Sequence, residues 1–92
     1  MNHWHIIRIR QMHYNDAKNK LEREIHNAQF QGHRYVEIIH GIGTYTLRNM
    51  TVEYLQTLNF VKLLPEESGF NPGSLKVELE IPDEQIRRKY LL

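Results

Sequence analysis

The chain contains no cysteine, which excludes disulfides and thiolate-held metals. That absence also makes a reducing compartment, the cytoplasm, the expected setting. No run approaches the ~20 apolar residues that a membrane-spanning helix needs, so no membrane role is expected. The opening residues Met1-Asn2-His3-Trp4-His5 lead into no apolar core, and a signal peptide is not expected. Prolines number three and glycines five, too few for a linker or a low-complexity tract. There is no internal repeat.

What is there is the composition of an ordinary folded protein. Of 92 residues, 40% are hydrophobic and 25% charged, outside the range of disordered tails. This length predicts one domain over residues 1–92, with a core at about 6–80 and a tail at 82–92. The net charge is only +1, but it is unevenly spread. Residues 1–34 carry six basic against three acidic side chains and five of the six histidines. Residues 35–92 carry six basic against eight acidic. A basic half can favour a polyanion; a solvated charged surface explains the same pattern.

Ile7 and Ile9 alternate with Arg8 and Arg10, the pattern of a half-buried strand. Tyr14, Ala17, Leu21, Ile25 and Ala28 recur at helical steps, and Gly32 suits the left-handed residue after a helix. His13 or Asn15 stands where a cap is needed. Tyr35 to Ile39 is rich in strand formers. A second helix is expected from about Thr44, whose hydroxyl is placed to cap it, with Leu47, Met50, Tyr54 and Leu58 on its buried face. Phe60 to Leu64 reads as a third strand and Leu75 to Glu80 as a fourth, separated by a polar loop punctuated by glycine and proline. Residues 83–92 offer a short helix through Ile86 and Tyr90, or a frayed end.

The fold class expected is α/β: a two-layer sandwich in the order β-α-β-α-β-β, with a four-stranded mixed sheet and two helices packed on one face. Arg8, Arg10, Glu37, Lys62, Lys76, Glu78 and Glu80 would then occupy the open face, because a sheet covered on both sides needs continuous apolar strands.

The most informative stretch is Ile38-Ile39-His40-Gly41-Ile42-Gly43-Thr44-Tyr45-Thr46-Leu47-Arg48. It passes from a strand through a tight turn into a helix. Its glycines let backbone approach a ligand. The first amides of a helix have no partner within it and lie at its positive pole, a natural seat for phosphate. Arg48 lies one turn along, within reach of the same anion. His40 can act as an acid or a base near neutral pH. Tyr45, in the first turn, can stack on a base. Taken alone, a Gly-x-Gly turn more often serves geometry, and a lone histidine is more often structural.

This run resembles the second signature of the Smr (small MutS-related) domain family, in which an apolar strand leads through His-Gly-x-Gly-Thr into a helix with Leu-Arg. Leu63-Leu64-Pro65 and Asn71-Pro72-Gly73-Ser74-Leu75-Lys76-Val77 are similar to that family's third strand, glycine-containing loop and last strand. Ile7-Arg8-Ile9-Arg10-Gln11-Met12 aligns with its first signature, Leu-Asp-Leu-His-Gly-Met/Leu. The resemblance spans residues 6 to 80. It implies binding of DNA or RNA and, in several family members, endonucleolytic cleavage.

The departures bear on chemistry. Arg8 and Arg10 stand where the family has Asp and His, Gln11 where it has glycine, and Ile42 where it has lysine. An arginine cannot hold a metal or activate a water at neutral pH. Two arginines beside a phosphate site instead strengthen backbone contacts, and arginine can stabilise a phosphoryl-transfer transition state. Alternatively, Arg8 pairs with Glu37 across the open face.

Other candidates carry less. His3, His5 and His13 have no carboxylate at matching spacing, so solvated side chains are expected over a metal site. Ser68 and Ser74 have no case as nucleophiles. Trp4, Tyr14, Tyr35 and Tyr54 read as core or rim residues.

The sequence therefore predicts a nucleic-acid-binding domain that contacts the phosphate backbone through His40, Gly41, Ile42, Gly43, Thr44, Tyr45 and Arg48, with Arg8 and Arg10 flanking. Binding is favoured over catalysis. The enzymatic alternative is a nicking endonuclease that uses His40, with Mg²⁺ or Mn²⁺ as its only expected cofactor. The interaction alternative is an adaptor in a repair or translation assembly, docking through the open face or residues 86–92. Oligomeric state and the choice between DNA and RNA are open at this level.

Overall fold

The computed structural model describes residues 3–65 and 72–82. Strand β1 spans His5–Arg8, helix α1 Tyr14–Gln31, β2 Tyr35–Ile39, α2 Thr46–Gln56, β3 Val61–Leu63 and β4 Ser74–Leu79. The sheet order is β1-β2-β4-β3. β1 runs parallel to β2, while β4 runs antiparallel to both β2 and β3.

Both strand–helix–strand units advance across this sheet in one direction, the second stepping over β4. Two right-handed crossovers that advance the same way set their helices on the same face. α1 and α2 pack against each other there. This is the expected two-layer α/β sandwich on a four-stranded mixed sheet.

The core lies between the layers. Ile7, Val36, Ile38, Val77 and Leu79 project from the sheet, and Leu21, Ile25 and Leu55 meet them from the helices. Each such side chain contributes roughly 1.5–3 kcal/mol through removal from water. α1 buries Ala17, Leu21, Ile25 and Ala28, the spacing expected of one helical face. It ends at Gly32, which adopts the left-handed conformation and donates its amide to the carbonyls of Ala28 and Gln29. His13 is the N-cap, without a side-chain capping bond.

Three local expectations need correction. Helix α2 begins at Thr46, with Tyr45 as a left-handed N-cap and no side-chain cap. Thr44 bonds instead to Thr46, hydroxyl to hydroxyl at 2.8 Å. The buried side of α2 includes Thr51 and Leu55; Thr51 is satisfied by donating its hydroxyl to the Leu47 carbonyl at 2.7 Å, a bond available to threonine within a helix. Strand β1 stops at Arg8, so Arg10 leaves the sheet instead of lying on its open face. The loop at 66–71 and the expected helix through Ile86 and Tyr90 lie outside the described residues.

The open face carries a polar and aromatic network. Ser74 donates its hydroxyl to a Glu37 carboxylate oxygen at 2.7 Å, and Arg34 pairs with Glu78 at 3.5 Å. Lys76 lies 4.9 Å from the Trp4 ring centroid, and Trp4 meets Tyr35 edge-on. Among the described residues Arg8 and Glu37 form no ion pair: β1 sets Ile6 opposite Glu37 and Arg8 opposite Ile39. Among the described residues no helix is long and apolar enough to cross a membrane.

Candidate nucleic-acid interface

The carboxyl ends of β1 and β2 lie side by side because the two strands are parallel neighbours. In open α/β sheets ligands sit beyond such ends. Ile9 extends the pairing by donating its amide to the Ile39 carbonyl at 2.9 Å. The chain segments that follow, Arg10 to Tyr14 and His40 to Arg48, therefore face each other across a cleft of about 450 Å³.

The bend at the end of β2 is tied down from beneath. The amides of His40 and Gly41 both donate to the Gly73 carbonyl, at 3.0 and 2.9 Å. Those two donors are thus turned onto protein and are not available to an anion. From Ile42 to Arg48 no amide donates to a protein acceptor among the described residues. These donors belong to the turn and the first turn of α2, where helical amides have no internal partner.

Gly41 is held in the left-handed region at φ +82, and a Cβ there would come within 3.1 Å of the Arg10 Cβ. The two walls of the cleft touch at this point, and only glycine fits the approach without displacement. Gln11, on the opposite wall, is also left-handed at φ 62, in the position where the first signature of the resembling family has glycine.

His40 is 4% exposed. Its Nδ1–H donates to the Gly41 carbonyl at 2.9 Å, which leaves Nε2 as an acceptor. Burial pushes the His40 pKa below the ordinary value; the Gly41 carbonyl opposes that shift and the Arg48 charge adds to it. The ring is therefore neutral at pH 7, able to accept a proton or a hydrogen bond from a hydroxyl or a water.

Of the residues singled out in the sequence, His40, Gly41, Ile42, Gly43, Thr44, Tyr45, Arg48 and Arg10 all line the cleft. Arg8 is not among its lining; it lies on the open face, its carbonyl accepting the Lys20 ammonium. The spacing of Tyr14 places it on the buried face of α1, yet it is 45% exposed and lines the cleft. His13 lines it too, whereas His5 stacks on His33 at 4.1 Å. Among the described residues lining the cleft, two are arginines and none is Asp or Glu. Mg²⁺ and Mn²⁺ favour carboxylate and other oxygen ligands, so this donor set does not fit such an ion.

The model of the Smr domain family matches residues 7–79. The chain belongs to the Smr domain family. Endonuclease MutS2 of Lactobacillus helveticus (strain DPC 4571) is 40% identical over 63 residues, covering 68% of this chain and 7% of that protein. Endonuclease MutS2 of Lactobacillus acidophilus (strain ATCC 700396 / NCK56 / N2 / NCFM) is 36% identical over 75 residues, covering 78% of this chain and 9% of that protein. This Smr domain thus spans less than a tenth of the length of these curated relatives. Its fold matches the crystal structure of the Smr domain of Thermus thermophilus MutS2 with a TM-score of 0.70 at 22% identity, covering 83% of this chain and 98% of that one. The solution structure of the SMR domain of NEDD4-binding protein 2 matches with a TM-score of 0.64 at 20% identity, covering 90% and 93%.

Proposed function

We propose that this Smr domain binds the phosphate backbone of DNA or RNA in the cleft between the start of α1 and the His40–Gly43 turn. The observation that carries this reading is the composition of the cleft: Arg10 and Arg48 line it together with a run of amides that have no protein acceptor among the described residues, and no carboxylate is among its described lining. Arginine and free helix-start amides are the donors that bind phosphate best. Arg8 takes no part in this contact. The absence of cysteine agrees with a cytoplasmic setting.

Two relatives are named endonucleases, and the neutral His40 favours a second reading, strand cleavage with His40 as the base. With no fitting site for a hard cation among the described residues, such cleavage would run without Mg²⁺ or Mn²⁺. His40 Nε2 would activate a hydroxyl or a water, and Arg10 and Arg48, which line the same cleft, would stabilise the charge that develops on the phosphoryl group.

The deciding experiment measures binding of the pure domain to plasmid DNA and to structured RNA as salt is raised from ~50 mM, where counterion release demands a steep fall in affinity. Binding that is absent at ~50 mM salt, or that ignores salt, overturns the backbone reading. Nicking that persists unchanged in His40→Ala removes the second.

A further inference from the structure

Tyr14 and Tyr45 set a condition that phosphate binding alone does not explain. Tyr14 is the first residue of α1 and Tyr45 directly precedes α2, so the two approach the cleft from opposite walls. They are 45% and 54% exposed. Ile42, on the same rim, is 76% exposed. Three of the four large hydrophobic side chains exposed among the described residues thus border a single cleft. Buried aromatic surface normally stabilises a small domain by leaving water; here it is kept in water around a cleft that two arginines line.

Tyr45 also holds a left-handed backbone at φ 64, which costs a side-chain-bearing residue about 1–2 kcal/mol. The position nevertheless carries a tyrosine and not glycine, and that tyrosine lines the cleft. The cleft's volume of about 450 Å³ falls in the range of sites that take small organic ligands.

We propose that Tyr14 and Tyr45 receive an unpaired nucleobase whose phosphate rests on Arg10, Arg48 and the free amides, so that the domain takes single-stranded or locally unpaired nucleic acid in preference to duplex. This rests on the backbone-binding reading and adds the class of strand. Bases in a duplex are stacked on one another and present no face to an aromatic ring, whereas every unpaired base does. Phosphate alone would draw duplex and single strand alike.

The test uses the full chain and short oligonucleotides carrying a central 2-aminopurine, whose fluorescence falls when it stacks. Single-stranded DNA, single-stranded RNA and the duplex of each are titrated at equal salt, with an abasic single strand as control. The expected results are a preference for the unpaired strands over duplex and quenching of the probe on binding. Tyr45→Ala and Tyr14→Ala each lower single-strand affinity about tenfold, while Tyr45→Phe restores it. Both side chains are exposed, so neither variant threatens the core; circular dichroism of each confirms it.

Equal affinity for duplex, abasic and intact single strands, or a probe that stays bright in the complex, overturns the stacking proposal. If that loss of discrimination comes with a retained dependence on Arg10 and Arg48, the backbone site stands without it. Absence of binding to every strand overturns both.

Discussion

Gly41 rests against Arg10, the position of its missing Cβ only 3.1 Å from the Arg10 Cβ. Gly41→Ala therefore adds a steric contact and forces a side chain into φ +82. The backbone term alone is about 1–2 kcal/mol, a fall of roughly 4–16 °C in Tm for a domain of this size. The same physics predicts the opposite sign at Gln11, which is left-handed and carries a side chain. Gln11→Gly should hold or raise Tm. Thermal unfolding of the two variants checks both, and an unchanged Tm in Gly41→Ala would show that the walls give way easily.

The three arginines nearest the signatures separate by position. Arg10 and Arg48 line the cleft and Arg8 does not. Arg10→Ala and Arg48→Ala should each weaken nucleic-acid binding and lower the slope of log affinity against log salt by roughly 0.7–0.9, as expected for one lost phosphate contact. Arg8→Ala should leave the slope and affinity where they are. A filter-binding or anisotropy salt series on the three variants decides it. Equal losses at all three would point to a diffuse field and not to a cleft.

The separation of these arginines also marks what the sequence could and could not say. β2 was legible to its ends, because Tyr35 to Ile39 combines strand formers with alternation, and Gly32 announced the end of α1. The alternation Ile7-Arg8-Ile9-Arg10 ran on past the true end of β1. It gave no sign that Gln11 turns left-handed or that Arg10, beyond the end of β1, lines the cleft instead of the sheet face. Tyr45 is a similar case: a left-handed residue bearing a side chain has no reliable local signal, and sequence pattern alone points to Thr44 as the cap. Tyr14 keeps helical spacing with Ala17 and Leu21, but it is exposed at the cleft, and spacing cannot tell a solvent-facing first turn from a packed one. The tie from His40 and Gly41 to Gly73 joins residues more than thirty apart, beyond any window of local pattern.

Ile42 is 76% exposed at the tip of the turn, where the resembling family's signature has lysine. A large apolar side chain there gains nothing from burial and contributes no charge. Ile42→Lys should raise affinity for nucleic acid and steepen the salt dependence by roughly 0.7–0.9, with little loss of stability because most of the side chain is exposed. Affinity that falls in this variant would mean that the isoleucine itself touches the bound strand.

His40 gives the domain a pH signature. Burial holds its pKa below the ordinary value, and His5 is lowered in the same direction by burial and by the stacked His33. A histidine with a depressed folded pKa binds its proton more readily in the unfolded chain. Between the ordinary value near 6.5 and the lower folded value, the unfolded state carries more protons, so stability rises with pH. Above about 6.5 both states are neutral and the effect is constant. The domain should therefore lose Tm steadily as pH falls from about 6.5 toward 5 and hold it from about 7 to 8. His40→Asn retains a donor for the Gly41 carbonyl but cannot titrate, and it should flatten part of that slope; His5→Gln should flatten another part. Melting curves across this range check the sign, and a Tm that climbs on acidification would mean that the buried ring carries its charge in the folded state.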